Sequence, residues 1–287
     1  MSNNHPLVKW IRANGLEFAY LERGSGPLVL VLHGFPDSAW SFVPVLDTLA
    51  SAGFRAVAPF MRGYAPTSIP ADGDYRSTAL ARDVIALIDH FGEKQADLVG
   101  HDWGAVATYT AATLRPDRVK KIVAASIPHP RRFLLRMTLA QLRRSRYMGF
   151  FQWRGAEKIV ARNDFAWLEN LIREWSPDWK FTAQDLAPVK ANFSDPARLT
   201  AALNYYRALP MSLLEGETWW LLGQPVKVPA RVIYGARNDG CIGAEMFSGM
   251  EHLFAAGLDL VPMPHGHFLH CEAPEAFSRK AIEFLKS

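Results

Sequence analysis

The chain has 287 residues, 49% of them hydrophobic and 21% charged, with a formal net charge of +4. That is ordinary globular composition with enough apolar material for one sizeable core, and the charge is too mild to imply a nucleic-acid partner. No apolar run approaches the ~20 residues of a membrane span, and the polar start Met1–Pro6 lacks the apolar core of a signal peptide. Two cysteines, Cys241 and Cys271, point to no disulfide framework and a reducing compartment, so a cytoplasmic location is expected.

In chain order, Trp10-Ile11-Arg12 and Leu16 to Leu21 flank Asn14-Gly15, a hairpin signal. Leu28 to Leu32 is a continuous apolar run, expected of a strand buried on both faces. Ala56 to Ala58, Asp97 to Val99 and Ile122 to Ala125 read as further short strands. Between them, Thr78 to Phe91 carries Leu80, Val84, Leu87, Ile88 and Phe91 at helical spacing. Strand–helix alternation implies an α/β architecture, a mostly parallel central sheet flanked by helices. The rhythm stops near Pro128-His129-Pro130 and resumes at Val232-Ile233-Tyr234 and Leu258 to Val261. The intervening stretch is rich in Arg, Trp, Phe and Tyr and reads as helices. There Leu134, Leu135, Thr138, Leu139 and Leu142 form one helical stripe, and Arg143-Arg144-Ser145-Arg146 reads as a solvated face, with a membrane surface or an acidic partner as the alternative. The expected division is a core in two parts, residues 1–130 and 223–287, with a helical lid inserted at 131–222.

The strand ending at Val99 runs into Gly100-His101-Asp102-Trp103-Gly104 and then into the small-residue stretch Ala105 to Tyr109. Strand, glycine-flanked turn, helix is the setting of the nucleophile elbow of the α/β-hydrolase fold. Here the central residue is Asp102 rather than serine. A serine attacking a saturated carbon would leave a stable ether; a carboxylate leaves an ester that water can cleave. Asp102 therefore points to alkyl transfer from a strained or halogenated carbon. Triad partners in this fold follow in the order nucleophile, acid, base. Asp239 and His267, each just past a strand, fit as acid and base, with His265 and His270 as weaker alternatives for the base. Backbone N–H groups of Trp103 and of Phe35, in His33-Gly34-Phe35-Pro36, are the expected oxyanion donors. No His-Glu-x-x-His, Cys-x-x-Cys or Gly-x-Gly-x-x-Gly pattern is present in a suitable setting, so neither a metal nor a nucleotide cofactor is expected.

These motifs, with Arg62-Gly63-Tyr64 and Gly266-His267-Phe268, resemble the epoxide hydrolase branch of the α/β-hydrolase family, over nearly the whole chain. The core motifs are shared with haloalkane dehalogenases; two stretches in the lid discriminate. Tyr147-Met148-Gly149-Phe150-Phe151-Gln152 is similar to the family's Tyr-x-x-(Phe/Tyr)-Phe-Gln, and Asn204-Tyr205-Tyr206-Arg207 to its Asn-Trp-Tyr-Arg. The resemblance implies that Tyr147 and Tyr206 are acids facing the nucleophile. It implies hydrolysis of an epoxide to a vicinal diol, with haloalkane dehalogenation as the alternative and a non-enzymatic binding protein of the same fold as a more distant one. Phe35, Trp103, Phe150, Trp153 and Phe268 are expected to line an apolar substrate pocket. The expected partners are a small lipophilic epoxide and water, without nucleic acid or stable membrane association, in a monomer or homodimer.

Overall fold

A computed structural model describes residues 6–237 and 239–287. The chain opens with a hairpin, β1 (Lys9–Ala13) and β2 (Leu16–Arg23), joined by Asn14 and Gly15 at φ of 47° and 74°. Two successive left-handed residues give the turn whose twist matches that of its strands. Then come β3 (Leu28–Leu32), β4 (Arg55–Pro59), β5 (Ala96–His101), β6 (Val119–Ala125), β7 (Ala230–Gly235) and β8 (Leu258–Met263). They form one sheet in the order β1-β2-β4-β3-β5-β6-β7-β8, parallel from β4 to β8. The hairpin is antiparallel to β4 at one edge.

Helices cover both faces, and β3 shows why its sequence is apolar throughout. Val29 and Val31 pack on one side, in the core shared with Leu46, Leu49 and Phe277 from the helices Val43–Ser51 and Pro274–Lys286. Leu28, Leu30 and Leu32 face the other side, against Leu80, Val84 and Ile88 of the helix Ser77–His90. Side chains alternate across a strand, so covering both faces demands an unbroken apolar run.

Chain order reverses at β3 and β5: β4 lies on one side of β3, and β5 on the other. In parallel sheets such a switch leaves a crevice at the carboxyl ends of the strands. Between β6 and β7, eight helices from Pro130–Leu135 to Gly216–Gly223 occupy the space. The leucine stripe expected there is interrupted. The helices Pro130–Leu135 and Leu139–Arg144 are separate, and Leu134, Leu135, Leu139 and Leu142 are all exposed. Helical periodicity identified a face, but that face meets no core. Among the described residues no helix is long and apolar enough to cross a membrane.

One buried charge sits badly. Asp97, on β5, has an oxygen without a hydrogen-bond partner, and burial, only partly offset by Lys120 and Lys121, raises its pKa from 3.8 to about 6. A carboxyl whose folded pKa exceeds its unfolded one costs nothing below the unfolded value, and its full penalty above the folded one. About two units correspond to ~3 kcal/mol at most. Asp97→Asn is thus expected to stabilise the protein in urea denaturation at pH 8 by ~1–3 kcal/mol, with the gain vanishing at pH 4. An equal gain at both pH values would show that ionisation is not the cause.

Candidate active site

The site gathers at the carboxyl ends of β3, β5, β7 and β8. After β5 the chain turns sharply at Asp102 (φ 52°, ψ −119°) and enters the helix Trp103–Leu114. A non-glycine residue at that φ is strained, and strain of this kind is kept where surrounding structure fixes it. Here the flanking glycines fix it. A β-carbon at Gly100 would run into the carbonyl oxygen of Gly104, and one at Gly104 into that of Leu32. Only glycines let helix and strand approach this closely. Gly34 likewise leaves room for Asp102 itself, since a β-carbon there would overlap Asp102 Oδ1.

The two Asp102 oxygens have different surroundings. The Phe35 N–H donates to Oδ1 at 2.7 Å. Oδ2 lies 3.6 Å from His267 Nε2. On the far side of the ring, His267 Nδ1 is 3.8 Å from Asp239 Oδ2. The other Asp239 oxygen accepts from the N–H groups of Cys241 and Ile242, at 2.8 and 2.9 Å, which fixes the carboxylate in its loop. His267 therefore sits fully buried between two carboxylates, both slightly beyond hydrogen-bond length. Catalytic contacts are often this long before substrate arrives. Burial by itself disfavours the imidazolium, but Cys241, Asp102 and Asp239 outweigh it and hold His267 well above its ordinary range. Cys241 is itself pushed up by burial and so is a neutral thiol; the two carboxylates carry the effect.

The His267 backbone is held as firmly as its ring. Its N–H donates to the Trp175 carbonyl at 3.0 Å, and the Trp175 indole packs edge-on against the imidazole. Its carbonyl accepts from Ser126 Oγ and from His101 Nε2. Burial pushes the His101 pKa well down, which keeps that ring neutral. His265 is partly exposed, 3.8 Å from Glu272, and His270 is bound to Asp37 at 2.9 Å. Neither stands between the two aspartates. Asp37, His101 and His270 form a buried group of metal-type donors; His270 Nε2 is bound to Asp37 Oδ2 and His101 Nε2 to the His267 carbonyl, while Nδ1 of each of the two histidines has no hydrogen-bond partner among the described residues.

A cavity of about 500 Å³ opens from Asp102 toward the surface. Trp103, Tyr147 and Tyr206 share its walls with Asp102, and Val106, Ile127, Met148 and Leu209 make the rest largely apolar. Tyr147 is on the helix Arg146–Gln152 and Tyr206 on Pro196–Ser212. Each neighbour of Tyr206 is tied elsewhere. The Tyr205 hydroxyl donates to the Arg62 carbonyl at 2.8 Å, and Arg207 makes a two-pronged ion pair with Glu157 at 2.6 and 3.0 Å. Gln152 donates to the Tyr206 carbonyl, which couples the two tyrosine-bearing helices. The Tyr206 hydroxyl has no hydrogen-bond partner among the described residues, and Tyr147 Oη meets only Cys241 Sγ, at 3.6 Å. Burial first, then charges including Asp102, lift both phenols well above 10. Both are protonated at neutral pH and neither proton is committed to a strong acceptor.

Four of the five aromatic rings expected in the pocket wall lie elsewhere. Phe35 contributes its N–H, while its fully buried ring packs on Phe151, Phe193 and Tyr206. Phe150 turns toward Trp167, and Trp153 is 57% exposed. Phe268 packs beside His267, against Trp175 and Trp179. Adjacency in sequence to a site residue does not set direction on a helix or loop, and only Trp103 of the five faces the cavity. Conversely, Cys241 and Trp175 were not expected at the site. Cys241 had a signal, two residues beyond Asp239; Trp175, in the far helical segment, had none. Asn238, the neighbour that competes with Asp239 as the acid, lies outside the described residues.

Residues 27–274 match the alpha/beta hydrolase fold family. The chain is 31% identical to an epoxide hydrolase of Caballeronia sordidicola, over 96% of this chain and 93% of that one. It is 35% identical to epoxide hydrolase 4 of Mus musculus, over 96% and 78%. The crystal structure of Bacillus megaterium epoxide hydrolase in complex with an inhibitor superposes with a TM-score of 0.85 at 27% identity, covering 97% of this chain and all of that one. The chain belongs to the alpha/beta hydrolase fold family, in the group that includes these epoxide hydrolases.

Proposed function

We propose that the protein hydrolyses a lipophilic epoxide to a vicinal diol through an alkyl ester on Asp102. The observation that carries this reading is the pairing, in one apolar cavity, of a buried carboxylate with two protonated tyrosine hydroxyls that lack a strong acceptor. Asp102 Oδ2 attacks a ring carbon, the C–O bond breaks, and the ring oxygen takes a hydrogen bond from both phenols and a proton from one of them. Oδ1 remains on the Phe35 N–H. Water activated by His267 then attacks the ester carbonyl, whose oxyanion forms at that same N–H and at the Trp103 N–H. The intermediate collapses by breaking the bond between the carbonyl carbon and the diol oxygen, which takes the proton His267 removed from water, and the proton left on the Asp102 carboxyl returns to the phenolate. Asp239 orients the ring and stabilises the imidazolium. The eight helices between β6 and β7 act as the cap that supplies the acids.

The order of events has an electrostatic logic. In the resting enzyme two carboxylates favour imidazolium. Esterification neutralises Asp102 and removes one of them, so the His267 pKa falls as its task as a base begins. Acid pH slows ester hydrolysis before it slows ester formation. The alkyl-enzyme, read as added mass after rapid quenching with styrene oxide, is therefore expected to accumulate as pH falls, and to accumulate at every pH in His267→Gln. Absence of adduct in that variant would remove His267 from the role of base.

The reading itself is tested by product analysis. Styrene oxide is expected to give phenylethanediol, and 1-bromobutane no bromide. Bromide without diol would instead make the protein a dehalogenase and leave Tyr147 and Tyr206 as packing residues.

A further inference from the structure

The far end of the cavity is built unlike the rest of the surface. Leu134, Leu135, Met137, Leu139 and Leu142 are exposed on one side of the opening, and Met211, Leu214, Trp219 and Trp220 on the other. The helices Pro130–Leu135 and Gly216–Gly223 touch, and both segments line the same cavity; Leu134, Met137 and Leu142 line it while exposed, which places the mouth there, and the other exposed apolar residues lie within two positions of lining ones. Soluble monomers rarely leave so large a contiguous apolar patch bare unless it is used.

The charges around the rim are one-sided. Residues 131–156 contain seven arginines and no acidic residue. The acids nearest the rim are already paired: Glu215 with Arg76, Glu217 with Arg82, Glu245 with Arg144 and Glu174 with Arg146. Arg131, Arg136 and Arg143 make no side-chain ion pair or hydrogen bond among the described residues. The rim therefore presents leucine and tryptophan side chains with a surplus of unneutralised guanidinium groups. A second copy facing it across a two-fold axis would set arginine against arginine. Leucine and tryptophan for the acyl boundary, with cations for the headgroups, is the composition that lies on an anionic bilayer.

We infer that the cavity mouth docks reversibly on an anionic phospholipid surface, so that a lipophilic substrate passes from the lipid into the cavity without crossing water. The contact is peripheral and salt-sensitive, and it holds for any lipophilic substrate, whatever the chemistry at Asp102.

The test is flotation of the full chain with phosphatidylcholine vesicles, with and without phosphatidylglycerol, at low and high salt. Binding is expected only with phosphatidylglycerol and is expected to fall as salt rises. Each arginine near such a surface strengthens binding about fivefold, so Arg136→Glu with Arg143→Glu is expected to weaken it about 25-fold or more. Leu139→Glu with Leu214→Glu is expected to abolish it. None of these four residues lines the cavity, so both variants are expected to turn over dissolved substrate as the parent does, which also reports correct folding. No flotation with anionic vesicles, equal flotation with neutral ones, or unchanged binding by either variant would overturn the inference. So would a dimer in analytical ultracentrifugation that the leucine variant dissociates, since a second copy would then cover the rim.

Discussion

Asp102→Ala is expected to lower diol formation by about 10⁴-fold or more, because on the proposed mechanism it removes the nucleophile that forms the ester. The loss should fall on chemistry and not on the fold. Asp102 is held by backbone geometry set at Gly100 and Gly104, and its side chain makes one hydrogen bond, from the Phe35 N–H. Alanine fits the same space. The variant should keep a native near-ultraviolet circular dichroism spectrum while chiral chromatography detects no diol above the uncatalysed background. It also removes a carboxylate 3.6 Å from His267, so the imidazole should titrate at lower pH than in the parent, which NMR of its ring protons reads directly. Diol at more than about 1% of the parent rate would assign the nucleophile elsewhere.

The second large effect belongs to the paired substitution Tyr147→Phe with Tyr206→Phe. General-acid help of this kind is typically worth about 10²–10⁴ in rate, and losing both hydroxyls leaves an alkoxide to depart without a proton. Stability should move the other way or not at all. A buried hydroxyl without a partner is a cost to the fold, and neither of these makes more than a contact with sulfur. Tyr205→Phe is the contrast: it breaks the bond to the Arg62 carbonyl and should cost ~1 kcal/mol of stability while sparing much of the activity. If the two neighbouring tyrosines gave the same pattern, the acid role would not belong to Tyr206 in preference to Tyr205, which also lines the cavity.

What could be read from the sequence was what is local or ordered along the chain. Asn14-Gly15, the apolar run of β3 and the glycine-flanked Asp102 each encode their geometry within a few residues, and the structure realises all three. Asp239 and His267 were legible because strand ends follow one another in a fixed order in this fold. Direction was not legible. Tyr147 and Phe150 are three residues apart on one helix, yet one lines the cavity and the other packs on Trp167. Nor does an apolar stripe say what it faces. The leucines at 134, 135, 139 and 142 have the spacing of a buried face, but all four are exposed, and 134 and 142 line the cavity. Deciding between the two requires knowing which elements pack over the stripe, and that is set by helices some 70 residues further on.

The polarity of the cavity also bears on how turnover ends. Its lining is largely apolar, with polar side chains such as Arg76, Thr110, His129 and Gln152 interspersed among the apolar ones. An epoxide, with one weak acceptor, loses little on entering such a channel. The diol that replaces it carries two hydroxyls that must each find a partner, and the apolar walls between the chemistry and the surface supply few. The proposed reaction would thus convert a good occupant into a poor one. Product inhibition should be weak, because the diol of the proposed reaction binds the channel less well than the epoxide it came from.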